Sequence, residues 1–322
     1  MKAFALAEQG PALTERPEPR PGDDDVLVRV RAAALNRADL GMARGHRHGR
    51  AGGPGAVLGV EWAGEVVEVG TRVSGLTPGD RVMGSGAGAF AEYACSDYGR
   101  VLAIPDGLDF AEAACLPVAL QTMHDALVTN GGLSAGQSVL VHGASSGVGL
   151  MGLQLARELG AGRVLGSARS ESKRARLAEF GADAALDPGA PDWVERVRAK
   201  SGGDGVDLVI DQVSGPDSAG TLRATRIGGC IVNVGRLGGM RAEFDFDLHA
   251  LRRIRYVGVT FRTRSREDVR EITRRLRPDV EPALAAGRLR LPIDRRFPLD
   301  EADKALEHMA ADRHFGKITL EI

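Results

Sequence analysis

The chain has 322 residues, 43% hydrophobic and 26% charged, with a net charge of −1. That is ample apolar material for a core, and the length points to two domains, since single cores stop growing near ~250–300 residues. The balanced charge forces no basic face, so nucleic acid and anionic membrane are not expected partners, and the arginines of 262–266 read as solvated surface.

The start, Met1–Leu6, lacks the long apolar stretch of a secretion signal and reaches Glu8 early. Val26, Val28 and Val30 alternate with Arg29 and Arg31, the period of a strand. Gly64–Val69 is a second strand candidate, and the turn Pro78-Gly79-Asp80 feeds Arg81-Val82-Met83. The apolar run Ala113–Leu120 is interrupted by Pro117 and is too short to span a bilayer. Cys95, Cys115 and Cys230 lie far apart and read as buried thiols, which suits a reducing, cytoplasmic location.

From about residue 121 short apolar strands alternate with helices, the pattern of βαβ units and a parallel sheet. Ser138–His142, Arg163–Gly166, Val206–Asp211, Cys230–Val234 and Tyr256–Phe261 are the strands. Val148–Leu159 and Lys173–Phe180 are helices, the second ended by Gly181. Asp268–Leu276 and Glu301–Met309 read as amphipathic helices before a closing strand at 316–320. An apolar last strand at Tyr256–Phe261 could pair across a two-fold axis, so a homodimer is expected.

The strongest local motif runs Val139-Leu140-Val141-His142-Gly143-Ala144-Ser145-Ser146-Gly147-Val148-Gly149. A strand, a small-residue turn and a helix start suit a diphosphate: the backbone can come close, and the helix end offers free N–H groups and a positive dipole. Gly147-x-Gly149-x-x-Gly152 spells the dinucleotide fingerprint literally, but the register Ala144-x-x-Gly147-x-Gly149 begins at the strand end, leaving Gly152 for helix–sheet packing. A structural turn without a ligand is the alternative. About 20 residues on, where an NAD enzyme carries an acid, the chain reads Ser167-Ala168-Arg169-Ser170-Glu171-Ser172-Lys173. Arg169, Ser170 and Lys173 could hold a 2′-phosphate, and Arg174 could occupy Glu171, so NADPH is the expected cofactor.

These segments, taken with Ala34–Leu40, Leu58–Gly64, Leu116–Thr122 and Phe315–Ile318, resemble the medium-chain dehydrogenase/reductase superfamily and its zinc-independent quinone oxidoreductase branch. The resemblance spans nearly the whole chain. It implies an α/β fold, a Rossmann doubly wound parallel sheet (122–261) inserted in a GroES-like β domain (1–121 and 262–322). Zinc-bearing relatives have Cys where this chain has Asn36, and Gly-His-Glu where it has Gly59-Val60-Glu61. No Cys pair has metal spacing, so no metal is expected. The resemblance places Asn36 and Thr122 near the nicotinamide as the catalytic pair. It places Ser145, Ser146, Gly147 and Val148 at the diphosphate, and Ser167, Ser170 and Lys173 at the adenosine phosphate. Val213, Gly235 and Arg236 would line the groove, and Phe261 and Lys317 would close it. The family often has a Tyr soon after Asp39 and another near Leu186-Asp187-Pro188; neither is present here.

Without a Lewis acid, an acceptor that spreads negative charge is favoured over an alcohol or a saturated carbonyl. The implied activity is metal-free, NADPH-dependent reduction of a small-molecule quinone. The alternatives are an enoyl or alkenal double-bond reductase on the same fold and cofactor, and a non-catalytic NADPH-binding sensor.

Overall fold

The computed structural model describes all 322 residues, and no helix is long and apolar enough to cross a membrane. The chain divides into two compact units. The first comprises Met1–Val118, Phe261–Pro278 and Arg290–Ile322; the second comprises Ala119–Thr260 and Asp279–Leu289.

In the first unit both chain ends build one seven-stranded, mostly antiparallel sheet. Its order is Ile293–Pro298, Lys317–Glu321, Asp25–Ala34, Glu61–Val69, Arg81–Ser85 and Val101–Ala103, with Tyr93–Asp97 also paired to Asp25–Ala34. The alternation read at 28–31 is real: Val28 and Val30 are buried, Arg29 and Arg31 exposed. Trp62, Phe90, Leu58 and Met42 fill the core beneath it. Two residues past the strand Asp25–Ala34, Asn36 caps the short helix Arg37–Ala43. Pro117, read as an interruption, instead opens the helix Pro117–His124, where a missing N–H costs nothing.

The second unit carries a six-stranded sheet, parallel throughout, in the order Ala184–Leu186, Arg163–Ser167, Ser138–His142, Val206–Asp211, Thr225–Asn233, Arg255–Gly258. This is the doubly wound order, and it reverses between Ser138–His142 and Val206–Asp211; open α/β sheets bind ligands at such a point. The last strand stops at Gly258, three residues short of the expected Phe261. In this unit Leu237, Met240, Phe246 and Leu251 are each more than half exposed.

One helix is longer than its sequence suggested. Arg266–Ala285 runs through Pro278, nine residues past the expected end at Leu276. A proline inside a helix costs about 3 kcal/mol, but Val280, Ala283 and Leu284 beyond it are buried, and packing outweighs the lost hydrogen bond. Residues 279–289, expected in the first domain, therefore belong to the second unit, where the Asp279 carboxylate is 2.8 Å from His124 Nε2.

Candidate active site

The glycine-rich turn stands at the carboxyl end of Ser138–His142. Gly143 has φ of 81°, a left-handed value that turns the chain sharply out of the strand. Ser146 caps the helix Gly147–Glu158, its Oγ accepting from Gly149 N–H at 3.0 Å. A Cβ at Gly149 would lie 2.7 Å from Ala144 Cα, Ala144 O and Gly143 O, so only glycine lets the turn close on itself. Gly152 has another role than the one expected. A Cβ there would meet Met123 Sδ at 2.9 Å, so it makes room for the helix Pro117–His124, not for the sheet. The N–H groups of Ser145, Ser146, Gly147 and Val148 have no acceptor within the protein. Those free donors at a helix start fit a diphosphate.

Gln212, which sequence reasoning missed, braces this turn from the neighbouring strand end. Its Nε2 donates to Gly143 O at 3.2 Å, and its Oε1 accepts from Ser146 Oγ at 3.1 Å. Val213, Gly235 and Arg236 gather at the next strand ends. Val213 N–H and Gly235 N–H both bond Asp211, and a Cβ on Gly235 would strike Gln212 O at 2.4 Å. Thr122 is half-buried on the helix Pro117–His124.

At the end of Arg163–Ser167, Arg169 is exposed, Ser170 caps the helix Glu171–Ala175, and Lys173 is in its first turn. The structure corrects two expectations here. Ser167 is buried and turned inward: its Oγ lies 2.7 Å from His142 Nδ1 and accepts from Gly143 N–H at 3.2 Å. Its hydroxyl therefore fixes the turn and is not offered to a phosphate. Burial also lowers the His142 pKa and keeps the ring neutral, stacked on Trp193. Arg174, expected to occupy Glu171, pairs with Asp187 at 3.0 Å and donates to Ala168 O at 2.9 Å.

In the first unit Asn36, 9% exposed, sits in a buried polar cluster. Its Nδ2 donates to Glu61 Oε1 at 2.7 Å and to Ala34 O at 3.4 Å; its Oδ1 accepts from Lys317 Nζ at 3.1 Å. Lys317 also forms a short ion pair with Glu61, and both side chains are almost wholly buried. Glu61 Oε2 accepts from Val118 N–H at 3.0 Å. Asp39 accepts from Asn36 N–H at 2.6 Å, and burial pushes its carboxyl up to about 7, opposed by that N–H and by Lys317. Lys317 is thus corrected from a residue closing a groove to an internal counter-ion. Phe261, expected beside it, is half-buried where the chain re-enters this unit. The cluster does not suit zinc: Asn36 and Val60 are poor ligands, and Glu61 is already held by an ammonium that would repel a cation. No three His, Cys, Asp or Glu side chains converge on a possible metal site.

Residues 22–106 match the family model described as an alcohol dehydrogenase GroES-like domain, and residues 147–277 match that of the zinc-binding dehydrogenases. Among curated proteins, an erythronolide synthase of Saccharopolyspora erythraea is 36% identical over 92% of this chain. The chain spans only 8% of that protein and 14% of a mycocerosic acid synthase-like polyketide synthase of Mycobacterium tuberculosis, to which it is 31% identical over 94% of its length. Among solved structures, a probable oxidoreductase from Mycobacterium abscessus is 30% identical with a TM-score of 0.85, covering 100% of this chain and 99% of that one. A mycobacterial quinone oxidoreductase is 25% identical with a TM-score of 0.86, each chain covered in full at 100%.

Proposed function

The chain belongs to the medium-chain dehydrogenase/reductase superfamily, whose fold binds a nicotinamide cofactor, and from that premise we propose that it is a zinc-free, NADPH-dependent reductase acting on a conjugated acceptor, a quinone foremost. The observation that carries this reading is the buried Asn36–Glu61–Lys317 cluster, which stands where zinc-bearing relatives carry ligands.

The unpaired N–H groups of Ser145 to Val148 would hold the diphosphate, with Val213, Gly235 and Arg236 beside it. Arg169, Ser170 and Lys173 would hold the 2′-phosphate, by charge and by the start of the helix that Ser170 caps. Asn36 and Thr122 would meet the nicotinamide end. The cofactor supplies a hydride; the chain's part is to bind it, orient it and keep water out. Its own residues offer no Lewis acid, so a localised alkoxide would go unstabilised in a dry site, at a cost of several kcal/mol. A quinone spreads the added charge over two carbonyls, and an enone over an enolate.

The likeness to a quinone oxidoreductase supports the first acceptor. The likeness to an erythronolide synthase and a polyketide synthase is compatible with a second reading, an acceptor whose double bond is conjugated to a carbonyl. The test is NADPH consumption, side by side, with a benzoquinone, an enone, a saturated aldehyde and a primary alcohol. The quinone or the enone is expected to react fastest. Fastest reaction with the aldehyde or alcohol overturns the proposal, and tight NADPH binding without turnover on any acceptor points to a sensor.

A further inference from the structure

Gly143 makes the left-handed step out of the strand Ser138–His142, and both of its backbone polar groups are taken by side chains, one from each neighbouring strand. Its N–H donates to Ser167 Oγ at 3.2 Å, at the end of Arg163–Ser167. Its carbonyl accepts from Gln212 Nε2 at 3.2 Å, one residue past the end of Val206–Asp211. A residue gripped on both sides has little freedom to rotate. Gln212 also fixes the next link. Its Oε1 accepts from the Ser146 hydroxyl at 3.1 Å, with Gly143 O a more distant second acceptor at 3.4 Å, while Ser146 Oγ accepts from Gly149 N–H at 3.0 Å. The Gln212 amide has one favourable orientation, because the Gly143 carbonyl only accepts and an amide oxygen turned toward it would be repelled. The Gln212 side chain is buried, so little water reaches it to replace either contact. Every group in this arrangement belongs to the second unit.

We propose that Gln212 is a positioning residue for the cofactor: by holding the Gly143 carbonyl and the Ser146 hydroxyl together, it keeps the N–H groups of Ser145 to Val148 aimed at one point and so sets the affinity for a diphosphate. This rests on the reading above that those N–H groups hold the diphosphate. The consequence is selective. NADPH and NADH share their diphosphate, so Gln212 serves both alike, whereas Arg169, Ser170 and Lys173 tell them apart.

The test uses Gln212→Met on the full chain, a near-isosteric change that removes both contacts. Affinities for NADPH and NADH are read from nicotinamide fluorescence, beside thermal unfolding. Loss of one neutral hydrogen bond from the turn predicts about fivefold weaker binding of both cofactors, with the ratio between them unchanged. A variant that melts earlier but binds both like the parent overturns the positioning role and leaves the diphosphate reading in place. So does a loss confined to NADPH, which would put the effect at the adenosine phosphate. A parent that binds neither cofactor overturns both. Should Gln212→Met not fold, Gln212→Glu is measured instead, as the ratio of its NADPH affinity to the parent's between pH 5 and 8. Burial raises the introduced carboxyl's pKa, and its protonated form keeps a donor for the Gly143 carbonyl that its ionised form lacks. An affinity nearer the parent's at pH 5 than at pH 8 supports the role, and a ratio flat across that range overturns it.

Discussion

The closing of the glycine turn makes a sharp prediction from two glycines three residues apart on one helix. At Gly149 an added Cβ meets three backbone atoms at 2.7 Å, none of which can swing aside. At Gly152 the nearest atom is Met123 Sδ, at 2.9 Å, on a flexible thioether. Helix propensity alone would reward either change to alanine by about 0.5–1 kcal/mol. Overpacking against backbone costs about 1–3 kcal/mol, and moving Gly149 N–H off Ser146 Oγ forfeits about 1 kcal/mol of cap. Gly149→Ala should therefore destabilise by about 1–3.5 kcal/mol net, a fall in melting temperature of roughly 2–14 °C. It should also weaken NADPH about tenfold or more, because the displaced turn carries the free N–H groups. Gly152→Ala should stay within about 1 kcal/mol of the parent, with unchanged cofactor affinity. Calorimetry with and without NADPH reads both quantities. If Gly152→Ala is the more damaging of the two for cofactor binding, the register argued for this turn is wrong.

Further outcomes follow from the same geometry. Lys173→Ala or Arg169→Ala should weaken NADPH about tenfold and leave NADH nearly unchanged, since a charge-assisted contact is worth about 1.5–3 kcal/mol; equal affinity of the parent for both cofactors would contradict this. Purified protein should carry no stoichiometric zinc by elemental analysis, and chelators should leave turnover intact. The Asp39 carboxyl, raised by burial to about 7, binds its proton more tightly folded than unfolded, so its contribution is present below the ordinary carboxylate range and is lost as pH rises toward 7. Asp39→Asn should therefore gain thermal stability relative to the parent between about pH 4 and 7; a difference that is flat across that window argues against it. The edge strand Arg255–Gly258 and the exposed apolar side chains of the same unit, Phe246 and Leu251 among them, should seat a second copy, so sedimentation should give a homodimer and Phe246→Asp with Leu251→Asp a monomer.

Much of the second unit was readable because its central strands are buried on both faces. Ser138–His142 and Val206–Asp211 fall on the residues expected, the first buried throughout and the second buried at every residue but Asp207. The glycine turn was legible because its chemistry is local. Sequence failed where partners are distant. Gln212 reaches Ser146 across 66 positions, and Lys317 reaches Glu61 across 256, so no local pattern announces either contact. The one available signal was that Glu61 and Lys317 both lay in segments resembling the family. Ser167 shows a different limit: its place at a strand end could be read, but not that its hydroxyl turns inward to His142. At Pro278 a local rule lost to tertiary packing, because the residues beyond it are buried.

The claim that the site serves conjugated acceptors, and cannot support a localised alkoxide, meets its most direct test in a single molecule. An enone offers both a β-carbon and a carbonyl carbon to the same hydride. With NADPH deuterated at the transferring position and protein dialysed against a chelator, mass and magnetic resonance spectra of the product locate the label. Deuterium on the β-carbon of a saturated ketone is the predicted result. Deuterium on the carbonyl carbon of an allylic alcohol would show that the site stabilises an alkoxide after all, and would contradict the account.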